Sequence, residues 1–164
     1  MSKVLAKQLG DALLAHGMTL ATAESCTGGG VAQALTDIAG SSAWFERGFV
    51  TYANVAKIEM LGVRQSTLDT HGAVSEITVR EMATGALQHS SAHITLAVSG
   101  IAGPRGGSPA KPVGTVWFAW ATRDGQVQAR LHQLSGDRSQ IRAQAVQIAL
   151  QGALEMLNFQ PVLG

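Results

Sequence analysis

One pattern constrains this chain more than any other. Short β-rich runs alternate with segments of helical spacing, and two-residue hairpin chemistry occurs at a single place, Asp124-Gly125. The run "HITLAVS" is the clearest strand, and "MTLATAE", "GFVTY", "GTVWFAWA" and "VQARLHQL" are read as four more. Val4, Leu5, Leu9 and Leu13 recur at helical spacing before Gly17, a natural helix stop. Further helices are expected from Thr27 to Leu35, over "VAKIEML" with Asn54 as cap and Gly62 as stop, over "EITVREMATGALQ" with Ser75 as cap, and from about Asp137 onward. Strands separated by helices favour parallel neighbours, and the lone hairpin adds an antiparallel pair. The expected architecture is therefore α/β, with helices on both faces of a mixed, mostly parallel sheet.

A chain of 164 residues with no internal repeat or linker is expected to form one domain, residues 1–164. Net charge is +1 and no lysine- or arginine-rich run occurs, which argues against a nucleic-acid partner. An RNA-binding domain of similar layout would also need an aromatic platform, for which there is no sign. No run approaches the ~18 apolar residues that span a bilayer, and the amphipathic N-terminus does not resemble a signal peptide. With one cysteine, no internal disulfide can form. A cytoplasmic protein is expected.

In open α/β sheets ligands bind beyond the carboxyl ends of strands. Three polar clusters fall at such ends: Ser25 with Thr27, Gly28 and Gly29; Tyr52 with Lys57; and Ser99 with the loop from Gly100. Ser25 stands at a strand-to-helix turn, where unpaired N–H groups make a ready oxyanion site. It or Thr27 would equally serve as a plain helix cap. The adjacent Cys26 is the rival nucleophile, and on a tight turn only one of the two is expected to face the cleft. Serine requires a base. His16, His71, His89, His93 and His132 lie mostly at element ends. His89 and His93 span a helix end and a strand start, so a shared metal is not expected.

Lys57 is the better base, with Tyr52 near enough to relay a proton or hold Ser25. A free lysine is only roughly 0.04% neutral at pH 7, and lowering its pKa by ~3 units takes about 4 kcal/mol of desolvation or charge repulsion. The glycine-rich stretch "SGIAGPRGGSPAKPVG" is neither a Walker A motif nor a dinucleotide fingerprint, yet its backbone N–H groups can cradle an anion. Arg138, at the start of the last helix and unfavourable for the helix dipole, hints at an anion partner; Arg142 follows one turn later.

Taken in order, "AESCTGG", "TYANVAK", "GAVSE" and "VSGIAGPRGG…KPVGTVW" resemble the CinA C-terminal-domain family, from about Leu13 to the last helix. The resemblance implies a three-layer α/β/α fold with a mixed five-stranded sheet, no metal and no cofactor. It also implies a homo-oligomer, most simply a dimer. The activity it implies is hydrolysis of the carboxamide of nicotinamide mononucleotide, giving nicotinate mononucleotide and ammonia for pyridine-nucleotide recycling. By the same resemblance Ser25, Lys57 and Tyr52 are the catalytic residues. Thr27, Gly28, Gly29, Ser42, Ser99, Gly100 and Arg138 are the substrate contacts, with Arg142 as the alternative arginine. The competing expectation is a pyridine-nucleotide-binding module without turnover.

Overall fold

In the computed structural model, which describes residues 1–158, five strands form one sheet in the order β2-β1-β3-β4-β5. The elements are α1 (Ser2–His16), β1 (Leu20–Glu24), α2 (Gly30–Thr36), β2 (Phe45–Val50), α3 (Asn54–Leu61), α4 (Gln65–His71), α5 (Glu76–Gln88), β3 (Ile94–Gly100), β4 (Thr115–Thr122), β5 (Val127–Gln133) and α6 (Arg138–Asn158). β2, β1 and β3 are parallel, while β4 is antiparallel to both of its neighbours. Four of the five strands therefore run the same way. The glycine-rich loop, not only the Asp124-Gly125 turn, joins antiparallel neighbours.

The two sheet faces use different side chains. Ile94, Leu96 and Val98 of β3 and Val116, Phe118 and Trp120 of β4 point towards α1, α2 and α6. The alternate positions are small: Ala23, Ala97, Ala119 and Ala121 meet α3, α4 and α5 through Leu61, Leu68, Val79 and Met82. This period-two division is what a sheet covered on both sides requires. On the large-residue face, a Cβ on Gly152 of α6 would fall 2.0 Å from Trp120 Cζ2. The missing side chain lets the indole seat against the helix and donate its N–H to Ala149 O at 3.0 Å.

One expectation about helix ends changes and another holds. Asn54 is the first residue of α3 rather than its cap; Ala53 holds the cap position, without a side-chain bond. Ser75 does cap α5, accepting the Thr78 N–H. α4 has no counterpart in the sequence reading. From β1 the chain passes through α2 to β2 on one side, and later reaches β3 on the other through α3, α4 and α5. That reversal opens a crevice at the carboxyl ends of β1 and β3.

Candidate active site

β1 ends in a buried carboxylate that organises the turn after it. Glu24 Oε1 accepts from the Thr27 hydroxyl at 2.6 Å and from the Val31 N–H at 2.9 Å, and Oε2 accepts from the Ala32 N–H at 3.0 Å. The first turn of α2 is thus capped from the strand, and neither Ser25 nor Thr27 fills the cap position, which is Gly29. Gly28 (φ 59) and Gly29 (φ 99) take the left-handed conformations that let the chain double back. From α6, Arg142 closes the other side: its Nε donates to Cys26 O at 3.0 Å and its Nη2 to Thr27 O at 3.2 Å. The Ser25 N–H is tied to Val98 O of β3 at 3.0 Å. With capping done by Glu24, the Ser25 hydroxyl is left for the crevice.

Lys57, in the first turn of α3, is only 1% exposed. Its Nζ lies 3.1 Å from Ser25 Oγ, 2.8 Å from Thr51 O and 3.0 Å from Tyr52 O. Burial pulls its pKa from 10.5 down to about 8, opposed only by the charge that Cys26 would carry. Geometry completes the argument. A neutral amine keeps two N–H donors and one lone pair; two carbonyls occupy the donors, so the lone pair is aimed at Ser25. Cys26 has the opposite character. Burial, chiefly, drives its thiol up to about 11, although N–H groups of Cys26 and Gly100 and the Arg142 charge favour the thiolate. It is a protonated thiol at neutral pH.

These groups border a cavity of about 270 Å³, near the lower end of small-ligand sites. Its wall includes Ser25, Cys26, Tyr52, Lys57, Ser99, Gly100, Arg105 and Arg138. The three clusters at strand ends do converge. Ser25 and Cys26 both border this wall, but the Cys26 side chain packs into the core with Val31, Val98 and Ala102, and its ionisation separates it further from Ser25. A wider hollow of about 430 Å³ along α5 holds Arg64, Arg80 and Glu81, but these charges are already bonded within the protein.

Other expected contacts are placed differently. The Tyr52 hydroxyl accepts from Arg138 Nη2 at 3.1 Å, and the residue is 59% exposed; its carbonyl, rather than its hydroxyl, engages Lys57. Arg138 also donates to Gly103 O at 2.7 Å and belongs to the cavity wall, whereas Arg142 holds the Ser25 turn. Ser99 donates to Ala73 O at 2.8 Å and braces the α4–α5 connection. A Cβ on Gly100 would meet Val116 Cγ2 at 2.6 Å, so only glycine fits there. Thr27, Gly28 and Gly29 form the back of the turn and are not on the cavity wall. Ser42 is exposed on a single 3₁₀ turn, Ser41–Ala43, that enters β2. There Trp44 O accepts the N–H of Leu20, the first residue of β1, so Ser42 sits at the opposite end of the strands from Ser25, roughly 17 Å of β1 away. Within one chain it does not reach the cavity. His89 Nδ1 pairs with Gly85 O and His93 Nδ1 with the Thr19 N–H, so the two rings are engaged separately.

Glu24 is the site residue that sequence reasoning missed. Its only signal was a carboxylate ending a strand of small and apolar residues, immediately before Ser25.

A family model, the CinA C-terminal domain, matches residues 2–157. The chain belongs to this family. It is 61% identical over 147 residues to the nicotinamide-nucleotide amidohydrolase PncC of Escherichia coli K12, covering 90% of this chain and 89% of that one. It is 51% identical over 153 residues to the protein of the same name from Pseudomonas putida, covering 93% and 94%. Among solved structures, a CinA superfamily protein of Klebsiella pneumoniae superposes with a TM-score of 0.94 at 44% identity, covering 98% of this chain and 99% of that one. A competence/damage inducible protein of Agrobacterium tumefaciens gives 0.92 at 49% identity, covering 96% and 95%. The CinA family match extends over both sheet faces and every element named above.

Proposed function

We propose that this chain is a nicotinamide-nucleotide amidohydrolase, converting nicotinamide mononucleotide to nicotinate mononucleotide and ammonia by Ser–Lys catalysis. The observation that carries the mechanism is the Lys57 amine, buried, with a pKa of about 8, two carbonyls on its N–H groups and Ser25 Oγ at 3.1 Å. The names of the PncC relatives support the substrate.

Ser25 Oγ attacks the carboxamide carbon while neutral Lys57 accepts the hydroxyl proton. At pH 7 a group with a pKa of about 8 is neutral in about a tenth of molecules, against roughly 0.04% for free lysine. Gly28 N–H is bonded to Ser25 O, and those of Val31 and Ala32 to Glu24. Stabilising the tetrahedral oxyanion therefore falls to the N–H of Cys26, the residue directly after the nucleophile that lines the cavity. The lysine ammonium then protonates the departing nitrogen, releasing ammonia and leaving a nicotinoyl ester on Ser25. Water, deprotonated by the same amine, hydrolyses that ester and regenerates the hydroxyl. Tyr52 and Arg138, bonded to each other, form the wall against which the pyridine ring and ribose rest. The same reading makes the protein a cytoplasmic homo-oligomer that recycles pyridine nucleotides for NAD synthesis. Among the described residues no helix is long and apolar enough to cross a membrane.

Ammonia release from nicotinamide mononucleotide tests this directly. The wild type is expected to release it without added metal. Ser25→Ala should fall to background, and Cys26→Ala should stay within a few-fold of wild type. Tight nucleotide binding with no ammonia would leave a binding module instead, and a dead Cys26→Ala beside an active Ser25→Ala would transfer the role to the thiol.

A further inference from the structure

We infer that Arg105 reads the phosphate of the substrate and so makes the site select nucleotides over the corresponding nucleosides. The inference rests on the cavity being a nicotinamide-nucleotide site. Three cations line that cavity, Lys57, Arg105 and Arg138, and among the described residues no carboxylate does. Two of the three are committed. Lys57 is bonded to Ser25 and two carbonyls, and Arg138 to Gly103 O and the Tyr52 hydroxyl. The Arg105 guanidinium has no hydrogen-bond or ion-pair partner among the described residues.

Depth supplies the second argument. Ser25 and Lys57 are buried, 8% and 1% exposed, and form the floor. Arg105 is exposed on the β3–β4 loop and forms part of the rim, where it also borders an adjoining hollow with Gly106, Gly107 and Ser108. A nucleotide carries its reacting amide at one end and its phosphate at the other. With the amide on the floor, the phosphate emerges at the rim. A guanidinium offers a planar fork of donors that grips phosphate oxygens two at a time, and an unpaired one pays no internal bond to do so. Arg138 then faces the uncharged middle of the ligand.

The test compares nicotinamide mononucleotide with nicotinamide riboside, which differ only by the phosphate, in wild type, Arg105→Ala and Arg105→Lys. The expected result is a roughly tenfold or greater fall in the nucleotide-to-riboside ratio of kcat/KM for Arg105→Ala, carried by the KM for the nucleotide, with part of it restored by Arg105→Lys. Equilibrium binding of nicotinate mononucleotide and nicotinate riboside reads the same contrast without turnover. An unchanged ratio in Arg105→Ala, in kinetics and binding alike, overturns the inference, as does an equal loss for both compounds. If the wild type releases ammonia from neither compound, the amidase reading fails while the binding contrast still decides the role of Arg105. Arg105 is exposed, so its variants are expected to fold, which circular dichroism checks.

Discussion

The turn that carries Ser25 and the loop that carries Arg105 border one cavity but are built in opposite ways. Around Ser25, a buried carboxylate takes three donors, a guanidinium takes two carbonyls, and the serine N–H is pinned to β3. The loop between β3 and β4 is exposed from Pro104 to Ala110 and is fastened mainly near its ends. Gly114 N–H bonds Ile101 O, Arg138 holds Gly103 O, and Lys111 Nζ reaches His71 O at 2.7 Å. Bond-making chemistry tolerates little positional error, and the proposed nucleophile stands on a turn whose backbone is bonded on both sides. The proposed selection of substrate by Arg105 would sit on a segment whose residues can change without disturbing the core.

The largest effect that sharpens this contrast is expected at Lys57. Lys57→Met should lower kcat by roughly a thousandfold, within the usual range for losing a general base. In the wild type, kcat/KM should rise tenfold per pH unit and level off above about 8, where the buried amine is neutral. Stability should follow the same proton. Because the folded pKa of about 8 lies below the ordinary 10.5, the unfolded chain binds the proton more strongly between those values. Stability relative to Lys57→Met should therefore rise with pH across that window, by up to about 3 kcal/mol, and be lost as pH falls through 8. Urea denaturation at both ends of the window measures it; a flat difference would mean that the amine is not desolvated.

A smaller effect is expected at Glu24. Glu24→Gln puts an amide among donors that need an acceptor, which should cost about 1–3 kcal/mol of stability. If the carboxylate positions Ser25, kcat should also drop by roughly ten- to a hundredfold while KM moves less than threefold. Loss of stability with kcat intact would break the comparison by making the turn a structural cap only. The smallest effect belongs to the loop. Lys111→Ala removes its bond to His71 O and should cost about 1 kcal/mol or less, with KM for the nucleotide raised about twofold and kcat unmoved. Steady-state kinetics with a thermal melt read both.

The parts of this arrangement visible in the sequence are those with local signatures. Gly17 and Gly62 end helices, Ser75 caps one, and Asp124-Gly125 makes a hairpin, each through chemistry confined to a few neighbouring residues. Ser25 and Lys57 could be named as partners because strand ends of a parallel sheet converge. α4 escaped because "QSTLDTH" has one large apolar residue, Leu68, and leans on Glu81, which takes bonds from Arg64 and Thr67. The distance of Ser42 from the cavity of its own chain was not visible, and Glu24 was overlooked, for a related reason. Nothing local says at which end of a strand a loop serine lies, or that a carboxylate will reach seven and eight residues ahead to the N–H groups of Val31 and Ala32. The choice between Arg138 and Arg142, one helical turn apart, likewise required knowing which side of α6 meets the cavity.

α6 couples parts of the molecule that are otherwise far apart. Arg138 and Arg142 project from its first turns, while Gly152, ten residues or about 15 Å beyond Arg142, is the seat for the Trp120 indole. The rod is thus set lengthwise by a fit deep in the opposite half of the protein. Any repacking that slid it along its axis would carry both guanidiniums with it, so a flaw at the indole would be felt as poor alignment of the hydroxyl and amine.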